Sequence, residues 1–216
     1  MSTVTGASST STVVSERRLD VRRGLVLTYA TAAYNSVEAV IALAAGFASG
    51  SIALVGFGFD SLIELTASGA AIWRLHMDSG ALRERAEWVS LRMVGACFLA
   101  LALYVSLDSV HALFTRTEPS ASIVGIVLAA VSLLVMPLLA RAKRRVAFAL
   151  ESGAIAAEAK QTLLCTYLSA ILLAGLGLNA VFGLWWADPI AALIMVPIIA
   201  REGVEGIRGR SACGCD

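Results

Sequence analysis

The stretch ASIVGIVLAAVSLLVMPLLA, residues 121–140, runs for twenty positions without a charged side chain. A helix of that length is about 30 Å long, the thickness of a bilayer's hydrocarbon core. Five further apolar stretches can be cut at turn-forming or charged residues, roughly 24–47, 52–73, 88–114, 154–178 and 183–200. All are far too long for the roughly ten-residue strands of a membrane barrel, the other way of crossing lipid. The composition agrees. Of 216 residues, 58% are hydrophobic and 15% charged, and the mean hydropathy is +0.79. A soluble domain sits near 45–50% apolar and about 25% charged. The reading is an all-α integral membrane protein built as a bundle of six transmembrane helices.

Lys and Arg give the orientation. Arg17, Arg18, Arg22 and Arg23 precede the first stretch, and Arg74, Arg83, Arg85 and Arg92 fall between or at the ends of the second and third. Arg141, Lys143, Arg144 and Arg145 follow the fourth, and Arg201, Arg208 and Arg210 follow the sixth. The opposite side has only Arg116. The positive-inside rule then puts both termini in the cytoplasm, which an even number of spans allows. The run Arg141–Arg145 is read as fixing topology and touching anionic lipid. Trp185 and Trp186 are expected at the outer interface, where indoles are favoured.

Residues 1–23 are expected to be a disordered cytoplasmic tail, because residues 1–15 are rich in Ser, Thr and Val and lack the basic and apolar regions of a cleaved signal. After Arg201 fifteen residues remain, too few to bury a core. The organisation expected is therefore one membrane domain, 24–201, and a short cytoplasmic tail, 202–216, ending in Cys213-Gly214-Cys215-Asp216. Those two thiols can capture a soft metal, be acylated, or belong to a plain tail. The four cysteines form no disulfide framework of a small secreted domain. A net charge of +1 argues against a nucleic-acid partner.

The informative residues are acids placed in apolar runs. Glu38, Asp60, Glu64, Asp108 and Glu158 all fall within expected spans. Each costs about 2.5–3.5 kcal/mol at mid-membrane even on the lenient insertion scale. Such groups should face the bundle interior, and such a load marks a cation path. Asp60 and Glu64, four residues apart, share a helix face. Bare, they repel each other until one takes a proton or a cation binds both. The competing reading is a protonated pair bonded to neighbouring helices. On the fifth stretch, Gln161-Thr162-Leu163-Leu164-Cys165 parallels Asp60-Ser61-Leu62-Ile63-Glu64 position by position, a hint of inverted repeats meeting at the midplane. Asn35 and Glu38 either line the path or bridge helices. Asp108 and His111 read as an exposed interfacial pair, and His76 as solvated. Lys160 is expected to snorkel towards the cytoplasm.

These stretches resemble the cation diffusion facilitators, also called the cation efflux family. Ser51, Ala53-Leu54, Asp60-Ser61-Leu62 and Glu64 resemble that family's second-helix motif. Ala157-Glu158-Ala159, Gln161-Thr162 and Cys165 resemble its fifth-helix motif, and Trp186-Ala187-Asp188-Pro189-Ile190-Ala191 the start of its sixth helix. The likeness covers about residues 24–201 and is nearest to a compact bacterial branch consisting of the transmembrane domain.

The resemblance implies a metal site made by Asp60, Glu64, Gln161 and Cys165, where the family normally has His or Asp. Gln161 offers only a neutral carbonyl oxygen, and Glu158, one turn earlier, can replace it or serve as an entry carboxylate. Cys165 suits Zn²⁺ and softer ions as thiolate, or is a small core residue. The function implied is export of a divalent cation, Zn²⁺ first, by proton antiport across the inner membrane by a homodimer, with no prosthetic group. The alternative is a metal sensor or assembly partner that keeps the fold without turnover. An enzyme finds little support: no embedded Ser–His pair and no HExxH occur.

Overall fold

The structure, a computed structural model, describes residues 6–75, 80–150 and 153–208. They form six helices: α1 (Gly6–Ser49), α2 (Ile52–Leu75), α3 (Gly80–Thr115), α4 (Ile123–Leu150), α5 (Gly153–Phe182) and α6 (Ala187–Ile207). Among the described residues there is no strand. The first five helices are long and apolar enough to cross a membrane. In α6 the charges crowd the ends, with Asp188 in the first turn and Arg201, Glu202 and Glu205 in the last two. The molecule is a multi-pass membrane protein.

Several helices overrun the apolar stretches that announce them. α4 continues to Leu150 through Arg141–Arg145, and α3 already begins at Gly80. Arg, Lys and Glu are good helix formers, so hydropathy marks where lipid stops and the helix continues past it. At the N-terminus α1 runs back to Gly6, where a disordered tail was expected. Adding residues to an existing helix needs only propagation, without a new nucleus. His76 and the tail thiols Cys213 and Cys215 lie outside the described residues.

Sharp turns occur where the backbone turns left-handed. Gly50 (φ 70°) separates α1 from α2, and Gly183 (φ 65°) opens the turn before α6. Glycine takes these angles without a Cβ clash. The longer α3–α4 connection is tied to the same end of the bundle. The Ser120 amide donates to the Ser49 carbonyl at 2.8 Å, and Asn179 Nδ2 donates to the Pro119 carbonyl at 2.9 Å. The helices thus alternate in direction, and α2 and α5 are antiparallel.

α2 is the central helix. It packs against α1, α3, α5 and α6, and 61% of its membrane segment is buried, against 28–39% in the other four spans. Its apolar side joins Leu54 and Phe57 to Met136, Leu168, Leu172, Leu176, Met195 and Ile199 in the core. Small residues allow close approach elsewhere, as expected where lipid offers no hydrophobic drive between helices. A Cβ on Gly95 would stand 2.7 Å from the Gly203 carbonyl oxygen and 2.7 Å from the Ile207 amide nitrogen, so α3 and α6 touch backbone to backbone.

At the end where α2 and α6 both begin, the motif residues Ser51 and Asp188 meet. Asp188 is fully buried. Its Oδ1 accepts the Ser51 hydroxyl, and its Oδ2 accepts the Ile52 amide at 2.8 Å, with Ala53 N 3.5 Å away. Ser51 Oγ in turn accepts the Leu54 amide at 3.1 Å. α2 is therefore capped twice, by its own serine and by a carboxylate from another helix, at the end where its dipole is positive.

Candidate metal path in the bundle interior

Of the five acids expected to face inward, four do so, and Asp108 is only partly buried. Glu38, Asp60, Glu64 and Glu158 are all buried, as is Cys165. Gln161 is half-buried. The α2 pair lies one helical turn apart on the inner face, and α5 packs against that face. Asp60, Glu64, Glu38 and Cys165 are close enough to act on one another electrostatically.

Two hydrogen-bonded groups organise this interior. In the first, Glu38 of α1 bridges three helices: Ser61 of α2 donates to Oε2 at 2.9 Å, and Ser132 of α4 donates to Oε1. Tyr34 donates to Ser132 in turn, at 2.7 Å. Of the two roles open to Glu38, bridging is the one its bonds perform. In the second group, Thr162 of α5 donates to Glu64 Oε1 at 2.9 Å, or to the Glu158 carbonyl at the same distance. Thr28 of α1 donates to Glu158 Oε2 at 3.0 Å. Lys143 of α4 approaches that same oxygen at 3.4 Å and Thr162 Oγ1 at 3.3 Å.

Lys143 departs from the expectation that residues 141–145 touch lipid headgroups. It is 1% exposed, while Arg141, Arg144 and Arg145 are exposed. The signal was in the register of α4: Gly125, Ala129, Ser132, Met136 and Ala140 recur every three or four residues on its buried face, and Lys143 is next. Lys160 does more than snorkel. Its ammonium pairs with Glu205 Oε2 at 2.6 Å and Glu202 Oε1 at 3.5 Å, joining α5 to α6. Asp108 accepts a 3.3 Å bond from Tyr104. His111 beside it is exposed, and both line a cavity of about 170 Å³ together with Asp188.

Several buried polar atoms around Glu64 lack a hydrogen-bond partner: Glu64 Oε2, Glu158 Oε1, Gln161 Nε2, and both amide atoms of Asn35. Asn35 lies within reach of Glu64 but outside hydrogen-bonding geometry. Each such atom costs about 1–3 kcal/mol, so the interior holds donors and acceptors in excess of its own bonds. Among the described residues, no three His, Cys, Asp or Glu side chains converge closely enough to hold a metal ion. The acids are brought into one interior and onto facing helices, and the oxygens of Glu38, Glu64 and Glu158 are spread among hydroxyl partners. Gln161 makes no side-chain bond through Nε2, and Cys165 packs within the apolar core between the acids.

Two comparisons bear on this arrangement. Magnetosome protein MamB of Paramagnetospirillum magneticum is 30% identical over 167 residues, 74% of this chain and 56% of the relative. The chain thus spans little more than half the length of that protein. The family model for the cation efflux transmembrane domain matches residues 28–209, a range that takes in α2, α5 and every acid described above. By that match, the chain belongs to the cation efflux family.

Proposed function

We propose that the chain is a secondary transporter that exports a divalent metal cation, Zn²⁺-like, from the cytoplasm in exchange for protons. One observation carries the reading: Asp60 and Glu64 of α2 and Cys165 of α5 are buried together in a bundle of the cation efflux family. Asp60 and Glu64 are the principal ligands in this reading, with Cys165 as a soft donor and Glu158 as a carboxylate on the way in. Gln161 contributes at most its carbonyl oxygen. Zn²⁺ suits a mixture of carboxylate and thiolate. Since the ligands are spread apart, α5 has to shift against α2 to gather them on an ion, and this coupling of binding to helix movement is what alternating access requires.

The Lys and Arg distribution supports cytoplasmic termini in the inner membrane. The same reading takes 24–201 as the membrane domain and a homodimer as the working unit. Transport into reconstituted vesicles tests it, with Zn²⁺, Co²⁺, Cd²⁺, Mn²⁺ and Fe²⁺ offered in turn. Asp60→Asn and Glu64→Gln are each expected to abolish uptake while still folding and inserting. Full transport by both removes this site. A sensor or assembly partner is the second reading, favoured by the absence of three converging ligands among the described residues. Metal binding without flux in the wild type would select it.

A further inference from the structure

A buried ammonium is costly unless well paired, and the partners of Lys143 are loose. Charge-assisted bonds run about 2.7–2.9 Å. Lys143 stands 3.4 Å from Glu158 Oε2 and 3.3 Å from Thr162 Oγ1. Thr162 is also the hydroxyl that reaches Glu64, and the charge of Lys143 acts on Glu64 as well. One tethered single charge therefore faces two carboxylates, each of which keeps a buried oxygen without a partner. The amide of Asn35, equally unpartnered, lies beside Glu64.

We propose that Lys143 is a tethered competitor for the transported cation, holding the Glu64–Glu158 side of the pocket until a divalent ion displaces it from Glu158. The proposal rests on the transport reading above and adds the residue that sets the pocket's affinity and its preference for double charge. A monovalent ion gains no Coulomb energy over the ammonium already in place, whereas a divalent ion gains about twice as much from the same two carboxylates. Tethering fixes the ammonium's effective concentration, so Na⁺ and K⁺ are disfavoured without a size filter.

The test is calorimetric titration of the full chain in detergent with Zn²⁺, with and without excess Na⁺. Lys143→Met keeps the chain length and removes the charge. Its Zn²⁺ dissociation constant is expected to fall about tenfold or more, and Na⁺ should begin to compete. Lys143→Arg, which keeps a cation, should stay near the wild type. Unchanged or weaker Zn²⁺ binding by folded Lys143→Met overturns the proposal. If that variant does not elute as a folded species, Lys143→Met/Glu158→Gln replaces the whole pair with neutral groups, a change that buried ion pairs often tolerate. The double variant is then expected to bind Zn²⁺ more tightly than Glu158→Gln alone, and equal affinities overturn the proposal. A wild type that binds none of the transport ions sinks the transport reading and this one with it. Wild-type binding with no gain in either variant sinks this one alone.

Discussion

Replacing Asp188 by alanine tests whether one helix caps another across the bundle. The carboxylate accepts the Ser51 hydroxyl and the Ile52 amide, and the 3.5 Å separation from Ala53 adds little. Hydrogen bonds to a charged acceptor contribute about 1.5–3 kcal/mol each. Two of them, less the relief of no longer burying a carboxylate, put the loss near 3 kcal/mol. The adjoining 170 Å³ cavity lets water reach the freed amides, which keeps the loss at the low end of the range for each bond. Asp188→Asn keeps one acceptor oxygen and should lose about 1–2 kcal/mol. Reversible unfolding of the purified protein in mixed micelles with rising SDS gives both differences. A loss under about 1 kcal/mol for the alanine variant, or equal losses for the two, would refute the capping argument.

Three other perturbations have outcomes set by the geometry. Gly95→Ala should destabilise by about 1–3 kcal/mol, because the three atoms nearest the new methyl are backbone atoms of α6, which cannot swing aside; Gly177→Ala, with nothing within 4 Å, should be neutral or stabilising in the same unfolding assay. At the end of α6 beyond the apolar segment, hydrogen bonds from Lys160 first and Arg201 second hold the Glu205 carboxyl below its ordinary 4.5. A depressed folded-state value means the contribution is present above pH 4.5 and fades as pH falls through the folded value. Glu205→Gln should therefore cost about 0.5 kcal/mol at neutral pH, Lys160 being partly exposed, and its difference from the wild type should vanish under acid.

What the sequence makes legible follows from how local each signal is. A twenty-residue run without charge announces a span by itself, and an acid inside such a run announces that it faces inward, because lipid penalises the alternative by kilocalories. Asp60, Glu64 and Glu158 are of this kind. Lys143 was hidden by its neighbours: within a basic cluster its charge reads as topology, and only the register of the small residues preceding it separates it from Arg141, Arg144 and Arg145. Glu38 was legible as lining a path or bridging helices, and Asp188 only as part of the sixth-helix motif, since the partner that ties it, Ser51, is 137 residues away in the chain. Helix ends do not coincide with the ends of the apolar stretches, as at Gly6 and beyond Ala140, because polar residues carry a helix past the apolar run.

The bonds that tie α2 to its neighbours are unequal, and the inequality bears on where the bundle can give. α1 is joined to α2 through Glu38, whose two oxygens are both engaged, by Ser61 and by Ser132. α6 is joined through Asp188, whose two oxygens are likewise engaged. α5 is joined through one neutral hydroxyl, that of Thr162, to a carboxylate whose other oxygen is unpartnered. The same hydroxyl has a second acceptor at equal distance on its own helix, the Glu158 carbonyl, to which its proton can turn. Releasing Glu64 from α5 breaks that one bond and lets the hydroxyl turn to its own helix, as the Ser61 hydroxyl can turn to the Phe57 carbonyl at 3.1 Å. What sets Glu64 apart is that its carboxylate is then left with neither oxygen bonded, open to a cation, whereas Glu38 would keep Ser132. In the transport reading, a cation drawn to Glu64 takes the place of that one hydroxyl, and the rearrangement that admits it is a movement of α5 against an α2 still held by α1 through Glu38 and by α6 through Asp188.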